Sequence, residues 1–116
     1  MNIDLLRSRL PTTPGVYLMR SASREILYIG KAANLKRRVM SYFDRPMNER
    51  ISAMVAQIDR VEIRKTATAL EALILESKLI KQHQPRYNIK EKDDKSFLFI
   101  VVTREAFPRV VLVRGK

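Results

Sequence analysis

Short β-prone runs alternating with segments of helical period predict an α/β (α+β) fold, a small mixed or antiparallel sheet flanked by helices. Three observations carry that expectation. Val16, Leu18, Ile26, Leu27 and Ile29 make two strand-like runs around the polar stretch Ser21-Ala22-Ser23-Arg24. Leu35, Arg38 and Tyr42 fall on the i, i+3, i+7 stripe of a helix. Thr68-Ala69-Leu70-Glu71 has the form of a capping box opening a long helix. The 116 residues, 46% of them hydrophobic, fit one domain over 1–116 with an ordinary core, and the strand-like close at Arg114 suggests the N-terminal part of a longer protein.

Taken in order, Asn2 can cap a short helix over 3–10, which Pro11 and Pro14 end. The two strand runs then read as a hairpin. If Arg20 stands opposite Glu25 as an oppositely charged cross-strand pair, the same register sets Tyr17 opposite Tyr28. Asn34 caps a helix over about 35–43, and Ile51, Met54, Val55 and Ile58 mark a second over about 48–58. Val61 and Ile63 alternate with Glu62 and Arg64 as a half-buried strand. The longest helix runs from Thr68 to about Gln84, where Pro85 stops it. Residues 85–96 read as a polar loop, and 97–104 and 109–114 as two more strands broken by Pro108.

Charge names the partner. Lys and Arg number 23 against 12 Asp and Glu, a formal charge of +11, which points to a polyanion and first of all to nucleic acid. With no cysteine there is no disulfide framework, thiolate zinc site or cysteine nucleophile, and the longest apolar runs are strand-length. A cytoplasmic setting is expected.

The missing residue types also restrict the chemistry. His83 is the single histidine, near a helix C-terminus where an imidazole meets the last carbonyls or solvent, so histidine-based nuclease mechanisms are not expected. What remains for phosphodiester hydrolysis is a metal held by a carboxylate, with Lys, Arg and Tyr around it. Glu76 is the best candidate. Its helical neighbours Ala72, Leu73, Leu79 and Ile80 are all apolar, and it borders a stripe of Leu70, Leu73, Ile74 and Ile80. Such a carboxylate stays neutral, binds a cation or pairs with a distant arginine such as Arg38, and the spacing leaves the last two open. Lys31, Arg38 and Tyr42 can gather around a phosphate at the exit of the second strand, with Lys36 and Arg37 on a more general phosphate-binding face.

These residues resemble the GIY-YIG nuclease domains, and among them the UvrC-like domains. The similarity covers nearly the whole chain. It runs from Leu10-Pro11-Thr12-Thr13-Pro14-Gly15-Val16-Tyr17 through Tyr28-Ile29-Gly30-Lys31-Ala32, Asn34-Leu35-Lys36 and Ser41-Tyr42-Phe43. It continues in Glu71-Ala72-Leu73-Ile74-Leu75-Glu76, Leu79-Ile80-Lys81, Pro85-Arg86-Tyr87-Asn88, Asp93-Asp94-Lys95-Ser96 and Phe107-Pro108-Arg109. The resemblance implies a single Mg²⁺ or Mn²⁺ on Glu76, with Tyr17, Tyr28, Lys31, Arg38, Tyr42 and Asn88 completing the site. It also implies DNA contacts by Lys31, Lys36, Arg37, Arg38, Lys81 and Arg86. Ala33 stands where such domains often have lysine, and Val16 replaces the isoleucine of the family's name.

The activity implied is hydrolysis of one strand of damaged duplex DNA, the 3′ incision of bacterial nucleotide excision repair, with a UvrB-type partner engaged through other parts of a parent protein and the domain itself monomeric. Rival readings are a shorter UvrC-like repair nuclease and a non-catalytic basic DNA-binding module. A third is a PD-(D/E)xK nuclease, since Glu76-Ser77-Lys78 has the end of that motif but falls in a helical pattern.

Overall fold

A computed structural model describes residues 1–45 and 47–88 with their side chains, and the backbone of two further strands, Leu98–Val102 and Val110–Arg114. Helix α1 (Ile3–Arg9) leads into β1 (Gly15–Arg20) and β2 (Ile26–Ala32), then α2 (Leu35–Asp44), α3 (Glu49–Gln57), β3 (Arg60–Lys65) and α4 (Ala69–His83). The last two strands are β4 (Leu98–Val102) and β5 (Val110–Arg114). The first three strands form an antiparallel sheet in the order β2-β1-β3, and β4 and β5 form a separate antiparallel pair. No described helix is long and apolar enough to cross a membrane.

Helices α1, α2 and α4 start where the sequence places their caps, and Asn48 caps α3 in the same way. Asn2, Asn34 and Asn48 each accept from a main-chain N–H three residues on, at 2.9–3.0 Å. At α4 the Thr68 hydroxyl accepts from the Glu71 N–H at 3.1 Å, but the returning Glu71 carboxylate takes the N–H of Ala67 rather than that of Thr68. The expected loop from residue 85 is helical at 86–88, while 89–97 lie outside the described residues, as do Pro108 and the blocks at 93–96 and 107–109.

Strand alternation divides the core in two. Tyr17 and Met19 point towards α2 and α3, where they pack with Leu35, Val39, Tyr42 and Met54. Val16, Leu18 and Ile29 point the other way, against Ala72 and Leu79 of α4. Small Ala72 lets α4 approach the sheet. The buried stripe is therefore Ala72 and Leu79 with the partly buried Leu75 and Ile80, and the expected stripe is corrected: Leu70, Leu73 and Ile74 are exposed. Met54 is the one residue of α3 that is fully buried, so truncating it to alanine removes the helix's main anchor, at about 2–5 kcal/mol.

The hairpin register also differs from expectation. Tyr17 faces Gly30 and Tyr28 faces Met19, with a bulge at Met19/Arg20 that sets Arg20 opposite Ile26. The extra residue in β2 removes the Arg20–Glu25 pair on which the expected register rested. Arg20 instead reaches the other neighbour of β1, donating from Nε to Glu62 of β3 at 3.0 Å, where Arg64 also binds. Glu25 lies 3.6 Å from Arg86.

Candidate active site

Strand β2 is an outer strand of its sheet. Successive residues of an antiparallel strand aim their main-chain polar groups at alternate neighbours, so those of Ile29 and Lys31 face away from β1. Both outward positions meet predicted site residues. The Asn88 carboxamide takes Ile29 as a strand would, accepting from its N–H at 2.9 Å and donating to its carbonyl at 3.0 Å. The N–H of Lys31 reaches towards the carboxylate of Glu76, which α4 presents from the far side of the sheet.

Glu76 is partly buried, and among the described residues no salt bridge closes on it. Desolvation raises its pKa above the ordinary carboxylate value, although the charge and main-chain N–H of Lys31 pull the other way. The arginine reading falls away, because Arg38 is engaged elsewhere. The PD-(D/E)xK reading fails as well, since Glu76, Ser77 and Lys78 lie inside α4.

On the opposite face three tyrosines close together. The Tyr17 ring lies 6.3 Å from that of Tyr28 and 5.9 Å from that of Tyr42, and Tyr28 and Tyr42 are 6.4 Å apart. A Cβ on Gly30 would overlap the Tyr17 hydroxyl and ring, so glycine opposite Tyr17 makes room for the phenol. The Tyr17 and Tyr42 hydroxyls share a hydrogen bond of 2.8 Å, Arg38 donates from Nε to the Tyr17 oxygen at 3.3 Å, and its guanidinium lies 5.3 Å from the centre of the Tyr42 ring. Burial drives the Tyr17 pKa far above the usual phenol value, with Tyr42 adding to the shift and the Arg38 hydrogen bond only partly opposing it. Tyr17 thus stays protonated and serves to hold Tyr42 and Arg38.

Seven of the predicted residues accordingly group around one strand: Tyr17, Tyr28, Arg38 and Tyr42 on one face, Lys31, Glu76 and Asn88 along its outer edge. Lys36 and Arg37 line a groove beside α2, and Lys81 is exposed on α4. Arg86 donates to Gln57 at 2.9 Å and stacks 5.3 Å from the Tyr87 ring, which ties it into packing. The sequence reading missed the support behind Asn88. Arg50 donates to the Tyr87 carbonyl at 2.7 Å and Gln57 to the Tyr87 hydroxyl at 2.8 Å, fixing the helical turn that carries Asn88. Only the adjacency of Tyr87 to Asn88 could have pointed there.

Residues 13–89 match the family described as the UvrC-like GIY-YIG domain. The chain belongs to this family. It is 49% identical over 109 residues to UvrABC system protein C of Xylella fastidiosa strain M23, covering 93% of this chain and 18% of that protein. Identity to the Moorella thermoacetica UvrABC system protein C is 48% over 116 residues, 99% of this chain and 19% of that protein. The chain thus spans less than a fifth of these relatives. Among solved structures it is similar to the GIY-YIG N-terminal endonuclease domain of UvrC from Thermotoga maritima, bound to magnesium as its catalytic divalent cation. That match has a TM-score of 0.67 and 34% identity and covers 76% of this chain and 99% of that one. The GIY-YIG motif has a physical meaning in this chain: the tyrosines make the cluster, and Gly30 leaves room for Tyr17.

Proposed function

We propose that the domain is a metal-dependent endonuclease that cuts one strand of DNA, and that within a longer parent protein it makes the 3′ incision at damaged duplex during nucleotide excision repair. A UvrB-type partner would engage the parent outside this domain, in the cytoplasm. The observation that carries the reading is Glu76, a carboxylate in a partly desolvated place with no salt bridge among the described residues, beside Lys31 on the edge of the strand whose face meets the tyrosine cluster.

The donor set fits magnesium or manganese. Among the described residues no three acidic or histidine side chains gather, and Mg²⁺ commonly uses one or two carboxylates, keeping water and substrate phosphate for the rest. A divalent cation held by Glu76 supplies Lewis-acid neutralisation of phosphate charge. Lys31 and Arg38 add fixed positive charge as the phosphorane-like transition state forms. Water attacks phosphorus in line, the Tyr28 side chain acting as phenolate accepts its proton, and the bond to the 3′ oxygen breaks, the leaving oxygen taking a proton from solvent to give a 3′ hydroxyl and a 5′ phosphate. Tyr28 is favoured over Tyr17 because Tyr17 is buried and held protonated. Asn88 keeps β2 in place behind both halves of the site.

Nicking of supercoiled plasmid tests the reading. Cleavage should need Mg²⁺ or Mn²⁺, stop with chelator and disappear in Glu76→Ala with DNA binding retained; a folded, DNA-binding domain that never nicks in either metal would leave only the non-catalytic binding module.

A further inference from the structure

Beside the site lies an open groove of about 600 Å³ between α1 and α2. Five cations line it, Arg7, Lys36, Arg37, Arg38 and Arg45, against a single carboxylate, Asp44. Arg38 belongs to both places: it lines the groove while its Nε holds Tyr17. A phosphodiester chain lying in the groove is thereby continuous with the scissile position. Asp44 does not face the groove alone. It takes both guanidinium nitrogens of Arg7 at 2.8 Å, a bidentate pair between exposed side chains that joins α1 to the end of α2. Arg7 holds the Asp44 carboxyl below its usual range, so it is ionised at neutral pH.

We infer that this groove binds the backbone of duplex DNA next to the cleaved phosphate, and that Asp44 attenuates the binding by occupying Arg7. The inference rests on the DNA-cutting reading of the neighbouring site but extends to residues outside it. A groove lined only by cations would hold product as firmly as substrate. A carboxylate at its end removes one phosphate contact and repels another strand position, which favours release. The pair itself adds little to folding, since both side chains are exposed and solvent screens their attraction.

The experiment is equilibrium binding of a short duplex in chelator, over a range of salt, for the 116-residue chain and its variants, with melting temperatures in parallel. Chelator removes cleavage from the measurement, so failure of the nuclease reading and failure of the groove are seen separately. Asp44→Asn should bind severalfold more tightly and steepen the log-log salt slope by about 0.9, the value of one added phosphate contact. Arg7→Ala should weaken binding, because Asp44 then faces the DNA unpaired, and Arg7→Ala with Asp44→Ala should recover most of the loss. Lys36→Ala with Arg45→Ala should flatten the slope by about 1.8. Unchanged affinity and slope in Asp44→Asn, with a lower melting temperature, would make the pair a structural tie and overturn the attenuator. An unchanged slope in the Lys36/Arg45 variant would remove the groove from the DNA path.

Discussion

Asn88 binds Ile29 through both ends of its carboxamide, replacing with one side chain the pair of hydrogen bonds a neighbouring strand would supply. Its predicted place in the site is thus a positioning one: Ile29 lies between Tyr28 and Gly30. Asn88→Ala leaves two main-chain groups without protein partners, at a cost of about 1–3 kcal/mol. Asn88→Asp keeps the acceptor but sets a carboxylate against the Ile29 carbonyl, and should be at least as harmful. Thermal melting combined with amide exchange at Ile29 checks this; protection at Ile29 unchanged in Asn88→Ala would contradict it.

Gly30→Ala tests the close approach of the Tyr17 phenol. The added methyl must push the ring off β2, at about 1–3 kcal/mol, and with it Tyr42 and Arg38. Cleavage should fall much further than stability. A crystal structure of the variant with Tyr17 and Tyr42 still 2.8 Å apart at their hydroxyls would refute the mechanism.

The three phenols should differ in their response to phenylalanine. Tyr28→Phe should lower single-turnover cleavage by roughly 10²–10⁴, as for loss of a general base, and flatten the pH profile on its acidic side. Tyr17→Phe keeps the ring but frees Arg38 and Tyr42, so its smaller loss should leave the shape of the profile intact. Equal losses with identical profiles would remove Tyr28 as the base.

Glu76 ties stability to pH with a definite sign. Its folded-state pKa is raised, so the ionised form is penalised by folding: the penalty is absent below the ordinary carboxylate range and grows as pH rises through the folded value. Glu76→Gln should therefore raise the melting temperature at pH 7 in chelator and leave it unchanged near pH 3. Mg²⁺ should stabilise the native chain and not the variant. A lower melting temperature for Glu76→Gln at pH 7 would mean that the carboxylate has a structural partner.

Helix caps, strand periods and the isolation of Glu76 were legible because each depends on residues a few positions apart. Asn2, Asn34 and Thr68 act where the local pattern puts them, and Pro85 follows α4 as expected. The register was not legible from the Arg20–Glu25 pairing, since Arg20 had a better partner 42 residues away in Glu62. The helix face chosen by α4 was misread for a related reason. Leu70, Leu73 and Ile74 offer an apolar run of similar character to Leu75, Leu79 and Ile80, and the sheet accepts the side on which Ala72 permits close approach. Residue types of the site could be chosen from chemistry, but its division across the two faces and outer edge of β2 depends on strand order.

An outer strand with open hydrogen-bonding positions is a template on which another chain can lengthen the sheet, and this sheet has two such strands. On β3 the deterrent is composition, with Arg60, Glu62, Arg64 and Lys65 along its length. On β2 it is Asn88 covering Ile29 and Glu76 standing before Lys31. The groups proposed to serve cleavage on that strand are therefore also its guard against self-association, so substitutions at Glu76 or Asn88 also uncover a surface on which molecules can aggregate.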